Sequence, residues 1–280
     1  MMPYHRPRSL ADALALRAAT GALPLAGGTD IHPLRTARAA WGEPWRTPIL
    51  DLSAVPGLDG ITETAEGWRI GARTTWTTIA ETSLPPLFDG LRAAAREVGG
   101  RQVQNRGTIA GNLVTASPAG DGIPNLLALD ASVELSATTG TRRMPVADFI
   151  TGYRATALAP GEIVTALHIP RDDGARGRFV KLGARRYLVI SIAMAAAVLR
   201  SEDGRIAQAR IAIGACSPVA QRLPELEAAL RDVELARAAT VPRAAHLATL
   251  APISDIRAST EYRQNAALAL LRDLLAGFAA

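Results

Sequence analysis

The sequence predicts an α+β protein, with a mixed N-terminal region of about 170 residues followed by a smaller α+β region. Three observations carry this. Short strand-like runs and short helical patterns are mixed as far as Pro170. A polar, turn-rich stretch, Arg171-Asp172-Asp173-Gly174-Ala175, then breaks the pattern. Beyond it, three strand-like runs come first and two helical patterns last.

The elements follow in order. Ser9, then Leu10, Ala13, Leu14 and Ala18, reads as a capped helix that Gly21 ends. Ala22 to Leu25 is a short strand running into Gly27-Gly28. After a Pro/Trp-rich loop, Ile49 to Leu52 is a second strand and Trp68 to Gly71 a third. Asp89 to Val98 is an alanine-rich helix with an acidic cap, Asn125 to Leu129 a short helix, and Ser132 to Ala137 a strand. In the second region, Phe179–Leu182, Leu188–Leu199 and Ile206–Gly214 read as strands, with a hairpin turn at Ser201-Glu202-Asp203-Gly204. Helices are expected over Glu225–Ala238, after Pro224, and over Thr260–Leu275. In the last, Ala267, Leu270, Leu271, Leu274 and Phe278 recur at helical spacing and form a core stripe.

Composition narrows the function classes. The chain has 280 residues, 48% hydrophobic and 20% charged, enough to bury a sizeable core and too apolar for a disordered chain. The net charge of +5 comes from scattered arginines with no run beyond Arg142-Arg143 or Arg185-Arg186. That is a solvated surface rather than a nucleic-acid track, and aromatics at 4% offer no base-stacking platform. The single cysteine, Cys216, excludes a disulfide framework and any cysteine-ligated zinc or iron–sulfur site within the chain. No signal peptide is visible at the N-terminus. The longest apolar stretch, Tyr187 to Leu199, is interrupted by Ser191 and too short to span a bilayer, so a cytoplasmic protein is expected.

Common catalytic signatures are absent. There is no Gly-x-Gly-x-x-Gly, no phosphate loop, no His-Glu-x-x-His and no Gly-x-Ser-x-Gly. His5, His32, His168 and His246 lack metal-ligand spacing, and His168, in a strand-like run, reads as structural.

Two segments carry chemistry. In Pro24-Leu25-Ala26-Gly27-Gly28-Thr29-Asp30-Ile31, a strand runs into paired glycines, a hydroxyl residue and an acidic residue placed to cap a helix. Paired glycines permit positive φ and close backbone approach to a ligand, and successive N–H groups can cradle phosphate. A plain Gly-Gly turn fits this segment equally. In Arg106 to Asp121, small hydrogen-bonding residues fill sixteen positions with no apolar period, while Ile109, Leu113 and Val114 indicate partial burial. Such a buried loop needs partners for its polar groups, and a dinucleotide has many to offer. An irregular surface loop is the alternative.

Together these segments resemble a known family. Ala26-Gly27-Gly28-Thr29-Asp30, then Asn105 to Asn112 with Ala116 to Asp121, are similar to the FAD-binding medium subunit of molybdenum hydroxylases, which include xanthine and carbon monoxide dehydrogenases. Lys181-Leu182-Gly183-Ala184-Arg185-Arg186 resembles the family's Lys-x-x-x-Arg-Arg strand, and Asp255 to Arg263 the segment leading into its last helix.

The resemblance implies a two-lobed flavin domain of the vanillyl-alcohol-oxidase type over residues 1–170, with lobes at about 1–55 and 56–170, and a C-terminal flavoprotein domain over 175–280. It implies FAD between the lobes, with Pro24, Leu25, Ala26, Gly27, Gly28, Thr29, Asp30 and Ile31 around the pyrophosphate. Thr108, Ile109, Ala110, Gly111 and Asn112 would form a second phosphate and ribityl loop. Ser117 and Asp121 would bond cofactor hydroxyls, Val98 and Val164 would flank the cofactor, and Lys181 would lie near the flavin and raise its potential. It names no catalytic side chain. Thr29 stands where histidine-linked relatives carry His, so the flavin is expected to be non-covalent. After Arg185-Arg186 the chain departs from the family, with Tyr187-Leu188-Val189-Ile190-Ser191 in place of an acidic residue before Ile-Ala. By resemblance the chain passes electrons from a 2Fe-2S partner through FAD to an external acceptor, beside a molybdenum-cofactor large subunit, in a dimer of heterotrimers. A free-standing flavin reductase and a non-catalytic binding or assembly protein of the same fold are the competing readings.

Overall fold

The computed structural model describes residues 3–43 and 45–279. Position 44 of the Pro/Trp-rich loop, and positions 1, 2 and 280 of the expected domains, lie outside the described residues.

The chain begins with a small parallel sheet. Strand β1 (Tyr4–His5) leads to helix α1 (Leu10–Thr20), strand β2 (Leu23–Leu25), helix α2 (Ile31–Ala40) and strand β3 (Ile49–Asp51). The strands lie in the order β1-β3-β2. The Ser9 hydroxyl caps α1 by accepting from Asp12 N, and Gly21 ends it in the left-handed conformation at φ 63°. Asp30 precedes α2 but makes no side-chain cap there, contrary to expectation.

A five-stranded antiparallel sheet follows. It is built from β4 (Ile61–Thr64), β5 (Gly67–Gly71), β6 (Ser132–Ala137), β7 (Gly140–Pro145) and, entering last, β10 (Ile163–Pro170). The order is β4-β5-β10-β6-β7, so the final strand completes the centre. Between β5 and β6 run five helices: α3 (Trp76–Glu81), α4 (Asp89–Glu97), α5 (Arg101–Gln104), α6 (Ile109–Thr115) and α7 (Gly122–Ala128). Trp76, Ile79, Phe88, Leu91, Ile109, Leu113 and Leu126 from this layer fill one core with Ile70, Val133, Leu135 and Leu167 of the sheet. After β7 come helix α8 (Val146–Phe149) and the β8–β9 pair (Ile150–Gly152 and Ala155–Thr156). Asp89 lies in the first turn of α4, but Phe88 is the residue at the cap and no side chain caps that end.

The last sheet holds β11 (Ala175–Leu182), β12 (Ala193–Glu202), β13 (Arg205–Gly214) and β14 (Gln221–Arg222), all antiparallel. The turn between β12 and β13 has positive φ at Asp203 (48°) and Gly204 (75°), which suits the right-handed twist of a two-residue hairpin. Strand β12 is unalternating because both its faces are covered. Ala196 and Val198 join the preceding core, while Ala193, Ala195, Ala197 and Leu199 face a second one. That second core is closed by helices α9 (Pro224–Leu230) and α10 (Thr260–Ala276). From the α10 stripe, Ala267, Leu271, Leu274 and Phe278 are buried and Leu270 packs partly against them.

Two expectations in this region need correction. The strand expected over Leu188–Leu199 begins only at Ala193, and Leu188 and Ile190 are exposed. The helix expected over Glu225–Ala238 stops at Leu230, because the chain turns through Asp232 at φ 62°.

Helix α4 lies backbone to backbone on β11. A Cβ on Gly177 would stand 2.4 Å from the Leu87 carbonyl oxygen, so only glycine allows this approach. The contact brings Lys181, further along β11, to the C-terminal end of α4, where its ammonium donates to Glu97 O at 3.3 Å.

Candidate cofactor site

The two segments singled out from the sequence meet. Strand β2 runs into a turn in which Gly28 has φ 75°, as paired glycines allow. Gly27 faces the second segment at contact distance: a Cβ there would stand 1.8 Å from the Arg106 carbonyl oxygen. A Cβ on Gly107 would come within 3.5 Å of Thr29 Oγ1. Asp30, free of any capping role, accepts from the Thr115 hydroxyl at 3.3 Å. The second segment is anchored on the turn after β5, where Trp76 N donates to Gly107 O and Ile109 N to Thr74 O.

That segment is largely helical rather than the partly buried loop expected. It forms α6, entered through Thr108, whose hydroxyl accepts from Gly111 N at 3.1 Å. Small residues hide its periodicity, but Ile109, Ala110 and Leu113 are buried at helical spacing. The helix ends at Ala116 in the left-handed conformation. Ser117 Oγ then accepts from Ala119 N, and Asp121 leads into α7.

A cavity of about 280 Å³ opens beside this turn, lined by Val98, Gly99, Asn112, Ala119, Asp121, Leu188, Val189 and Ile190. Its wall is polar on the α6–α7 side and apolar on the side of the loop before β12. Asn112 Oδ1 is buried and has no hydrogen-bond partner among the described residues. A buried acceptor left without a donor is costly, and in a native site it marks a place for a missing partner.

Asp121 is the electrostatic centre. It is 6% exposed. Lys181 Nζ donates to its Oδ2 at 2.6 Å and the Ser191 hydroxyl to its Oδ1 at 2.6 Å. Burial pushes the Asp121 carboxyl above its ordinary value, while the Lys181 ammonium and both hydrogen bonds pull the other way. Lys181 is the only lysine of a sequence whose other basic residues are all arginine. Its ammonium is a compact point charge, unlike the planar fork of a guanidinium.

The remaining candidates fall into three groups. Leu25, Ile109, Ala110 and Val164 are buried, the last three within the core of the helical layer. Pro24, Ala26, Gly27, Gly28, Thr29 and Ile31 are half-buried along the first turn, and Asp30 is exposed. Val98, Asn112 and Asp121 line the cavity, with Lys181 joined to them through Asp121. Val164 belongs to the central strand rather than to the cavity wall. Sequence reasoning missed Ser191, whose signal was its place as the hydroxyl inside the apolar run from Tyr187 to Leu199. It also missed Leu188 and Val189, which were read as strand.

Elsewhere, His168 is held in the sheet by Glu134 Oε2 at 2.8 Å. Among the described residues no cluster of His, Cys, Asp and Glu could hold a metal ion, and no helix is long and apolar enough to cross a membrane.

Comparison with known proteins gives matches in both regions of the chain. Residues 1–172 match the family described as the FAD binding domain in molybdopterin dehydrogenase, and residues 178–277 the CO dehydrogenase flavoprotein C-terminal domain. The nicotine 6-hydroxylase medium subunit of Paenarthrobacter nicotinovorans is 34% identical, over 96% of this chain and 94% of the relative. The carbon monoxide dehydrogenase medium chain of Afipia carboxidovorans is 32% identical, over 96% and 93%. Among solved structures, carbon monoxide dehydrogenase from Hydrogenophaga pseudoflava superposes with a TM-score of 0.88 at 28% identity, covering 99% of this chain and 97% of that one. Two glycine-bearing turns meeting beside a buried Lys–Asp pair are thus found on a chain that belongs to the FAD-binding medium subunits of the molybdenum hydroxylases.

Proposed function

We propose that this chain holds FAD, without a covalent bond, across the junction of its two glycine-bearing turns and the Asp121–Lys181 cavity, and relays electrons within a larger oxidoreductase. The observation that carries the reading is the convergence itself. Gly27 lies on the Arg106 carbonyl just before α6, and Asn112, Ala119 and Asp121 further along the same segment line the cavity. A polar wall with a buried, unpartnered acceptor behind it and a glycine-lined approach are what a dinucleotide with hydroxyl donors and phosphate groups fits. The cavity is slightly below the usual range of small-molecule pockets, about 300–1,000 Å³, so it suits one part of the dinucleotide while the rest follows the open turns.

When bound, FAD supplies the redox chemistry, taking up and giving up electrons. The chain binds it, orients it and sets its electrostatic surroundings. Backbone N–H groups of residues 26–30 and the Thr29 hydroxyl are suited to the pyrophosphate, Thr108 to Asn112 to the second phosphate and ribityl chain, and Ser117 and Asp121 to hydroxyl groups. Val98 forms an apolar wall. By resemblance Lys181 lies near the flavin and raises its potential. Its pairing with Asp121 gives the site a dipole instead of a unit charge, so its pull on the flavin potential is moderated.

On this reading the chain divides at residues 170–175 into an FAD-binding domain and a C-terminal flavoprotein domain. It works in the cytoplasm beside a molybdenum-cofactor large subunit and a 2Fe-2S small subunit in a dimer of heterotrimers, with electrons leaving to an external acceptor. Relatives named as medium chains of nicotine hydroxylase and carbon monoxide dehydrogenase support this division of labour. The test is to purify the chain with its neighbours from its own cells. Expected is a yellow complex that releases FAD on heating and contains molybdenum and iron in two other subunits. A colourless lone chain with no such partners would contradict the relay.

A further inference from the structure

Ser191 has no place in the motifs that point to the cofactor, yet its hydroxyl is aimed at the centre of the site. It is 2% exposed and donates to Asp121 Oδ1 at 2.6 Å. Its backbone position is fixed from two sides. The N–H of the next residue, Ile192, donates to Leu182 O at 2.7 Å, tying it to the end of β11 one residue beyond Lys181. The Ile192 carbonyl accepts from Arg263 Nη1 at 2.6 Å. Arg263 is itself 3% exposed, and it also donates to Ala215 O at 3.0 Å and to Asp255 Oδ1 at 2.7 Å. A continuous chain of contacts therefore runs from the Asp255–Arg263 segment at the start of α10, through the backbone at 192, to the carboxylate that faces the cavity.

We propose that Ser191 is a positioning residue of the cofactor site, fixing the rotation of the Asp121 carboxylate, and that Arg263 holds Ser191 in place to do so. This rests on the reading that FAD occupies the cavity. A carboxylate oxygen accepts about two hydrogen bonds. Lys181 and Ser191 take one position on each oxygen, from the C-terminal side of the cleft, and leave the others for groups in the cavity. Without Ser191 the carboxylate is held at one oxygen alone and is free to turn about its last torsion. The bond is charge-assisted and fully buried, the class whose removal is felt most. It also gives the Asp255–Arg263 segment a link to the flavin site from the far end of the chain.

The test uses apo full-length chain titrated with FAD and followed by flavin fluorescence, with the flavin reduction potential measured on the loaded protein. Ser191→Ala is expected to weaken FAD roughly ten- to hundredfold and to shift the potential. Ser191→Cys, nearly the same size but a weak donor, is expected to loosen FAD while melting at the parent temperature, which covers the case that the alanine variant folds poorly. Arg263→Met is expected to loosen FAD as Ser191→Ala does. Ser217→Ala serves as control: this serine is also buried, but among the described residues its hydroxyl bonds only Cys216 O and Ala251 N, and FAD affinity is expected within about twofold of the parent. Parent-like affinity and potential in both Ser191 variants, with Lys181→Met still weakened, would overturn the positioning role and leave the site intact. Parent-like FAD binding in Ser191→Ala, Lys181→Met and Asn112→Ala alike would instead remove FAD from this cavity, and the proposal with it.

Discussion

Gly27 lies against the backbone of Arg106 so closely that a single added carbon would stand 1.8 Å from the Arg106 carbonyl oxygen. Two turns about eighty positions apart in sequence thus behave as one structural unit. Gly27→Ala forces them apart. It is expected to destabilise the chain by about 1–3 kcal/mol, as overpacking does, and to abolish tight FAD binding. Thermal melting and flavin content of the purified variant check both effects.

Lys181 and Asp121 form a buried pair, and breaking one side of it strands the other. Lys181→Met leaves a buried carboxylate without its counter-ion, expected to cost about 3–5 kcal/mol near neutral pH. In that variant the Asp121 value in the folded state lies above its unfolded value, since burial remains and the ammonium is gone. Stability linked to it is therefore present below the unfolded carboxylate range and lost as pH rises through the folded value. Denaturant melts of the variant between about pH 4 and about pH 8 should show its deficit growing with pH.

Asp121→Asn removes the negative partner and keeps the shape. The Lys181 ammonium then faces the site as an uncompensated cation. Reduced flavin, which carries more negative charge, is stabilised, so the reduction potential of the bound FAD is expected to rise. A redox titration of the loaded variant against the parent gives the sign directly.

Glu162 holds the five-stranded sheet to the chain around β8–β9. Its carboxylate takes a two-pronged contact from Arg142, Nε at 2.6 Å and Nη2 at 2.9 Å, and a third bond from Ala159 N at 2.7 Å. The Arg142 hydrogen bonds, against a desolvation that works the other way, hold the Glu162 carboxyl below the usual range. Its contribution is present above the unfolded carboxylate value and is lost as pH falls through the lowered folded value. Glu162→Gln is expected to destabilise the chain at neutral pH, with the difference from the parent shrinking on acidification.

Cys216 is buried, and desolvation raises its thiol to about 11, with the nearby Arg263 only partly opposing this. As the thiolate is the reacting form, the folded chain is expected to resist aromatic disulfide reagents at mildly alkaline pH and to react at the rate of unfolding. Fast labelling of native protein would show that this region opens more readily than its packing indicates.

Legibility in the sequence followed the strength of local signals. Helix α1 was readable because Ser9 and Gly21 mark both ends, and β6 matched the expected Ser132–Ala137. Helix α6 was not, since Gly111, Ala110 and Thr115 carry too little apolar contrast to show a period. Strand β4 was missed because Ile61 is its one apolar residue at a sheet edge. The run before β12 looked like strand because its residues are apolar, although Tyr187, Leu188 and Ile190 are exposed and the last two line the cavity. For the site, the residues of both turns were legible as types, while the Lys181–Asp121–Ser191 contacts were not, because they join segments that only tertiary packing brings together.

The most direct test of the central claim is equilibrium titration of apo chain with FAD, run in parallel on the parent and Gly27→Ala. Saturation of the parent at one flavin per chain, with no saturable uptake by a folded Gly27→Ala, is the expected result. Equal uptake by both would mean that the meeting of the two turns plays no part in holding the dinucleotide.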